Sequence, residues 1–178
     1  MQLYREEDGS FFINQEQKIK DLISFMNMED AYAVATPMEP SYVKDQDDPE
    51  KLPTDNKYHV AIGKLLYVST LTRPDISAAM GLLCRKSSAP TFKDWNAVKR
   101  LVRYLKGTAH FKLKLPANSK LKLIVYTDTN KGEALNTRLT SEHTFFYGNG
   151  MISWTSQKQE SVAQSPTEAE YISAGLCC

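Results

Sequence analysis

Apolar positions along this chain change period part-way, and the change divides it. The opening LYREEDGSFFIN, residues 3–14, alternates as two short strands about Asp8-Gly9, which predicts a hairpin. From Gln15 to Met28, Ile19, Leu22, Ile23 and Met26 fall at i, i+3, i+4 and i+7, one stripe of a helix. A helix over Tyr58–Thr70 follows from Ile62, Leu65, Leu66 and Ser69. The next is expected to open at TRPD, with Thr72 as cap, Pro74 in the first turn and Asp75 closing a capping box. Its stripe is Ile76, Ala79, Met80 and Leu83. A further helix starts after Pro90 with Thr91 and Asp94 as a second capping box and stops at Gly107, burying Trp95, Val98, Val102 and Leu105.

Beyond Gly107 the period becomes two. FKLKL (111–115) and LKLIVYTD (121–128) read as strands, and HTFFYGNG with MISWTS (143–156) as a hairpin about Asn149-Gly150. A last helix begins at Thr167, with Ala169, Ile172 and Leu176 facing inward. Helices followed by strands predict an α+β chain of two parts, with a boundary near Thr108–Asn118. Between the first two helices, Pro37, Pro40, Pro49 and Pro53 and a scarcity of apolar residues predict an extended, mobile linker over residues 35–57.

Composition adds a charge asymmetry to this picture. The net charge of the 178 residues is only +1, yet residues 85–122 hold eleven Lys and Arg against the single acid Asp94. Acids gather instead at Asp45, Asp47, Asp48 and Glu50. On the helix after Pro90, Lys93, Lys99, Arg100, Arg103 and Lys106 fill the arc opposite the apolar stripe. Such a face either meets a polyanion or serves only to solvate the helix, and charge alone does not separate the two. Cys84, Cys177 and Cys178 have no CxxC spacing, which argues for reduced thiols rather than disulfides or a zinc site. No apolar run approaches the roughly 18 residues of a membrane span, and the N-terminus has no secretory pattern. The expected location is therefore cytoplasmic or nuclear, neither secreted nor membrane-bound.

Two carboxylates carry the candidate chemistry. Asp128 ends the apolar strand LIVYTD, and Glu168 lies in the first turn of the last helix. A helix packed across the strands would bring them together as hard oxygen ligands for Mg²⁺, the ion of two-metal phosphodiester hydrolysis. The plainer alternatives are a turn-starting Asp and a first-turn Glu favoured by the helix dipole.

Four collinear segments narrow the choice. TRPDI (72–76), RYLKGT (103–108), ISWTSQKQ (152–159) and TEAEY (167–171) resemble, in order and spacing, the C-terminal part of the Pol polyprotein of copia-type LTR retrotransposons. The likeness extends over nearly the whole chain from NMED (27–30) onward. It implies the end of a reverse transcriptase followed by a ribonuclease H-like domain. The implied organisation is an end of palm and thumb-like hairpin plus helix over 1–34, an acidic Pro-rich linker over 35–57, a three-helix connection region over 58–110, and a ribonuclease H-like part over 111–178. That last part is expected as an incomplete sheet of about three antiparallel strands with one terminal helix.

By the same resemblance Asp128 and Glu168 inherit catalytic, Mg²⁺-binding positions, while the family's remaining two carboxylates fall after Cys178. The sequence also departs from the family. Asp-Ala-Asp-Trp is Asp128-Thr129-Asn130-Lys131 here, Ser-Thr-Ser-Gly is Leu139-Thr140-Ser141-Glu142, and Ser-Ser-Thr-Glu is Ser165-Pro166-Thr167-Glu168. The expectation is a vestigial site that does not hold Mg²⁺ stably and lacks useful nuclease activity, since misplacement by about 1 Å already costs about a hundredfold in rate. What remains expected is binding of RNA–DNA hybrid, or other nucleic acid, through Lys93, Lys99, Arg100, Arg103 and Lys106. Two alternatives stand beside it: a Mg-dependent ribonuclease H completed by a partner or by downstream sequence, and a domesticated module that docks proteins at an open sheet edge.

Overall fold

The computed structural model describes residues 1–43, 50–53, 57–117, 121–130, 139–159 and 165–176. The opening hairpin forms as β1 (Gln2–Arg5) and β2 (Phe11–Asn14), and β2 pairs on its other side with β3 (Leu113–Leu115). In the turn, the Asp8 carboxylate accepts from the Ser10 N–H at 2.7 Å and from its hydroxyl at 2.9 Å. A second three-stranded sheet, β4 (Leu123–Asn130), β5 (Thr140–Tyr147) and β6 (Gly150–Lys158), is antiparallel throughout. With five α-helices among the described residues, the architecture is α+β, as the change of period predicts.

The chain divides into two compact units, Met1–Gln2 with Ile13–Lys112, and Leu3–Phe12 with Leu113–Cys178. In the first, α1 (Glu16–Phe25), α2 (Tyr58–Thr72), α3 (Ser77–Arg85) and α4 (Phe92–Gly107) enclose one hydrophobic core. Ile19, Leu22, Leu65, Val68, Ile76, Leu83, Val98, Leu101, Val102 and Leu105 are all at most 1% exposed. Each such side chain contributes about 1.5–3 kcal/mol relative to remaining in water. Leu66, expected on the α2 stripe, is 43% exposed, and Val68 and Ala61 take the inward positions beside Leu65.

Helix α1 stops for a local reason. Asn27 adopts a left-handed φ of 53°, its N–H reaches the Ser24 carbonyl, and the Met28 N–H reaches the Ile23 carbonyl. These two bonds form a Schellman ending, with Asn in the place that Gly usually takes. The start of α4 is equally local: Thr91 and Asp94 cap each other reciprocally, as their spacing predicts.

Two sequence expectations shift. At TRPD no capping box forms: Thr72 is the last residue of α2, and a short 3-10 turn, Pro74–Ile76, leads into α3. The Thr72 hydroxyl instead donates to Gln15 Oε1 at 3.0 Å, a buried partner from before α1. In the β5–β6 hairpin the turn residues are Gly148 and Asn149, both with positive φ (55° and 63°), because Tyr147 pairs with Gly150. A type I′ turn needs positive φ at both central residues, so the turn sits one residue earlier than Asn149-Gly150.

The described parts of 35–57 are not extended away from the helices. Met38, Tyr42 and Leu52 pack against the core, and the Leu52 N–H donates to the Pro90 carbonyl at 2.9 Å. Asp45, Asp47 and Asp48 lie outside the described residues.

In the second unit, α5 (Pro166–Gly175) packs on β4 and β5. Ser165 caps it by accepting from the Glu168 N–H at 3.1 Å, with Pro166 in the first turn. Its inward line is Ala169 and Ser173, while Leu176 is 60% exposed, contrary to the expected Ala169, Ile172 and Leu176 stripe.

Candidate functional site

Helix α4 places its cations by period. With Val98, Leu101, Val102 and Leu105 turned to the core, Lys93, Lys99, Arg100, Arg103 and Lys106 are left on the outer side. A strap of chain, residues 29–43, lies along that side. Arg100 pairs with the Glu39 carboxylate at 2.6 Å and donates to the Thr36 hydroxyl at 2.9 Å, while its Nε is buried without a hydrogen-bond partner. Arg103 donates to the Tyr32 carbonyl at 2.7 Å, and Lys106 to the carbonyls of Glu29 and Ala31. Lys93 lies 5.0 Å from the centre of the Tyr42 ring, and Lys99 lies 5.8 Å from that of Trp95.

The strap fits because Gly107 lets it pass. A Cβ there would stand 3.0 Å from that of Ala33. Tyr42 is fixed at the other end, its hydroxyl donating to Asp94 Oδ1 at 2.6 Å. Strap and helix enclose a cleft of about 570 Å³ lined by Met38, Tyr42, Lys93, Lys99, Arg100 and Arg103, among others. The sequence did show the cations; it did not show that three of them already hold backbone or carboxylate partners.

The two carboxylates are arranged differently. Thr127 and Ser173 share a hydrogen bond between hydroxyls, and the Ser173 hydroxyl also reaches the Asp128 carbonyl at 3.3 Å. Ser141 and His143, which pair with Thr129 and Thr127, are buried on the same side. Thr127 and Thr129 therefore face α5, and strand alternation turns Asp128 to the opposite side of the sheet. There Asp128 is exposed, lies in one cross-strand row with Glu142 and Ser156, and accepts from the Thr129 N–H at 2.9 Å. Glu168 is in the first turn of α5, exposed.

No group of three or more His, Cys, Asp or Glu among the described residues is placed to hold a metal ion. Strand alternation thus sets Asp128 on the sheet face away from α5, while Glu168 stands in the first turn of α5 itself. No described helix is long and apolar enough to cross a membrane.

Comparison with known proteins gives this geometry a setting. The chain is 32% identical over 169 residues to an uncharacterized mitochondrial protein of Arabidopsis thaliana, covering 94% of this chain and 70% of that protein. It is 37% identical over 162 residues to the retrovirus-related Pol polyprotein from transposon RE2 of Arabidopsis thaliana, covering 90% of this chain. It is 34% identical over 186 aligned residues to the corresponding polyprotein from transposon TNT 1-94 of Nicotiana tabacum, covering 98% of this chain. The chain belongs to the copia-type retrotransposon Pol family. It spans 11% and 14% of the length of those two polyproteins. No family model and no solved structure matches it.

Within this Pol segment, two of the motifs that carry the resemblance fold onto each other. Arg73 of TRPDI is 2% exposed and donates to both oxygens of Asp75, Nε to Oδ1 at 2.9 Å and Nη2 to Oδ2 at 2.7 Å. The same guanidinium donates to the Thr108 carbonyl at 3.0 Å and hydroxyl at 2.6 Å, at the end of RYLKGT. Tyr104 of RYLKGT donates its hydroxyl to Asp75 Oδ2 at 2.8 Å, and its ring lies under Arg73. Burial pushes the Asp75 carboxyl up, but the Arg73 fork and the Tyr104 hydroxyl outweigh it and hold the group below its ordinary value. Burial and the Asp75 charge together raise the Tyr104 phenol.

The other two motifs of the Pol segment also meet. Gln159, closing ISWTSQKQ, is 2% exposed and donates to the Ser141 hydroxyl at 2.9 Å and to the Ala169 carbonyl, inside TEAEY, at 3.2 Å. Spacing alone had no means to find either junction, because their partners lie 29 to 35 and 10 to 18 residues apart.

Proposed function

We propose that this retrotransposon Pol segment handles nucleic acid, binding RNA–DNA hybrid along the outer side of α4 without hydrolysing it. The observation that carries this reading is the row of cations on that side and the kind of partner they have. Lys99 lies by a ring, and Arg103 and Lys106 donate to carbonyls. These partners satisfy donors but do not neutralise charge, so the field of the row persists toward solvent. The separation of Asp128 from the α5 side of the sheet supports the second half of the reading, since two-metal hydrolysis needs convergent carboxylates.

Binding of this kind is mainly electrostatic. With about four phosphates facing Lys93, Lys99, Arg103 and Lys106, the logarithm of affinity falls with that of salt at a slope of about −3.6. Fluorescence anisotropy of a labelled hybrid over a salt series measures it. Replacing Lys99 and Arg103 together by Ala should flatten the slope by about 1.8. A slope near zero, or no change in the double variant, disproves hybrid binding through α4. Incubation of labelled hybrid with the chain and Mg²⁺ should leave it intact. Cleavage that disappears in Asp128→Asn would overturn the non-hydrolytic half.

A further inference from the structure

The strap over α4 is held in an unusual way. None of residues 29–43 is buried, and Tyr32 in its middle is 86% exposed. Apart from the Tyr42 hydroxyl on Asp94, its polar ties to the helix are to the cations themselves: carbonyls on Arg103 and Lys106, a ring by Lys93, and one carboxylate, Glu39, on Arg100. A segment with few buried apolar groups opens at low free-energy cost compared with the helices beneath it. Among these contacts Glu39 is distinct, because its carboxylate lies directly on a cation of the row, at 2.6 Å from Arg100. The pair is lopsided in exposure: the Glu39 side chain is 59% exposed and that of Arg100 24%. Arg100 also keeps a buried Nε without a partner, so Glu39 and Thr36 do not exhaust its donors.

We propose that Glu39 is a built-in competitor for phosphate: the strap lays its carboxylate on the cation that would otherwise take a phosphate of the bound strand. This rests on the reading of α4 as the nucleic-acid face and adds its regulation. An arginine fork accepts a carboxylate or a phosphate with the same geometry, and a phosphate brings a further oxygen for the unused Nε. Contact of the strand with Arg100 itself then requires exchange of Glu39 for phosphate, with the strap lifting locally. Removal of the Glu39 charge gives the helix one more cation for the hybrid at once.

The test titrates labelled RNA–DNA hybrid, over a salt series, into the wild-type chain, Glu39→Gln, Asp30→Asn, Arg100→Gln and the double variant of Glu39→Gln with Arg100→Gln. Glu39→Gln should tighten binding about fivefold at low salt, the size of an exposed ion pair released, and steepen the salt slope by about 0.9. Asp30→Asn removes the same charge from the same exposed strap without touching Arg100, and should change affinity far less. In the Arg100→Gln background, Glu39→Gln should bring no gain. Equal gains from Glu39→Gln and Asp30→Asn, or a gain that survives loss of Arg100, would show a general charge effect and overturn the proposal. If the wild type binds through Lys99 and Arg103 but Glu39→Gln leaves affinity and slope unchanged, the competitor role alone falls. If no variant binds hybrid, the α4 reading and the competitor role fall together.

Discussion

The two units of this chain solve the problem of burial in opposite ways. In the helical unit the core is built mainly of aliphatic side chains: Leu65, Leu83, Val98, Leu101, Val102 and Leu105 are 0% exposed, and Tyr58 sends its hydroxyl to the Leu83 carbonyl at 2.9 Å. In the strand unit, Ala169 alone among the described apolar side chains is buried. What lies between α5 and its sheet is polar: Ser141, His143, Gln159 and Ser173 are at most 5% exposed. Hydrogen bonds hold it, each contributing about 0.5–1.5 kcal/mol net, against about 1.5–3 kcal/mol for each buried aliphatic side chain. The strand unit is therefore expected to be the less stable of the two, and the difference follows from which side chains face inward.

The chain holds two tryptophans, Trp95 on α4 and Trp154 on β6, one in each unit. Replacing either by Phe leaves a reporter of one unit alone, and denaturant titration of the two variants should show the Trp154 transition first. A single coincident transition would break the comparison. The largest mutational effect belongs to Arg73→Met, which strands Asp75 and the Thr108 carbonyl and should cost the Trp95 transition about 3–5 kcal/mol. Leu101→Ala follows at about 2–5 kcal/mol, again on Trp95 and with Trp154 unmoved. Gln159→Ala should lower only the Trp154 transition, by about 1–3 kcal/mol, because it leaves Ser141 and the Ala169 carbonyl without their buried donor.

The smallest effect is a pH dependence confined to the strand unit. Burial holds the His143 imidazole below its ordinary value of 6.5. The unfolded chain then binds more protons than the folded one between that value and the lower folded one, so stability falls as pH drops through this window and is restored above it. His143→Gln should flatten the Trp154 melting temperature between about pH 7 and 5, the range in which a free histidine titrates. An unaltered slope would remove His143 from the polar interior's energetics.

What the sequence revealed, and what it hid, follows the range of each interaction. The α4 start was legible because Thr91 and Asp94 are three residues apart and need only each other. TRPD carries the same letters for a cap, but Thr72 is drawn to Gln15, 57 residues away, and Asp75 to Arg73 and Tyr104. Long-range partners overrode a local preference. The linker over 35–57 was read from its prolines, yet three apolar side chains, Met38, Tyr42 and Leu52, were enough to lay its described parts on the core. The cationic side of α4 was visible on a helical wheel, whereas the strap that covers it is not periodic and left no sign. For Asp128 the signal was present: Thr127 and Thr129 flank it at strand period two, so a helix packed on their side turns the carboxylate away.

The Arg73 junction bears on how copies of this segment diverge. Each of Arg73, Asp75, Tyr104 and Thr108 answers to another member of the set, so no single exchange is neutral while the rest remain. Drifting copies should keep the four letters together or lose them together. A copy that has replaced Arg73 alone, with the other three intact, would be one whose product is weakened in its helical unit, legible as such from its DNA before any protein is made.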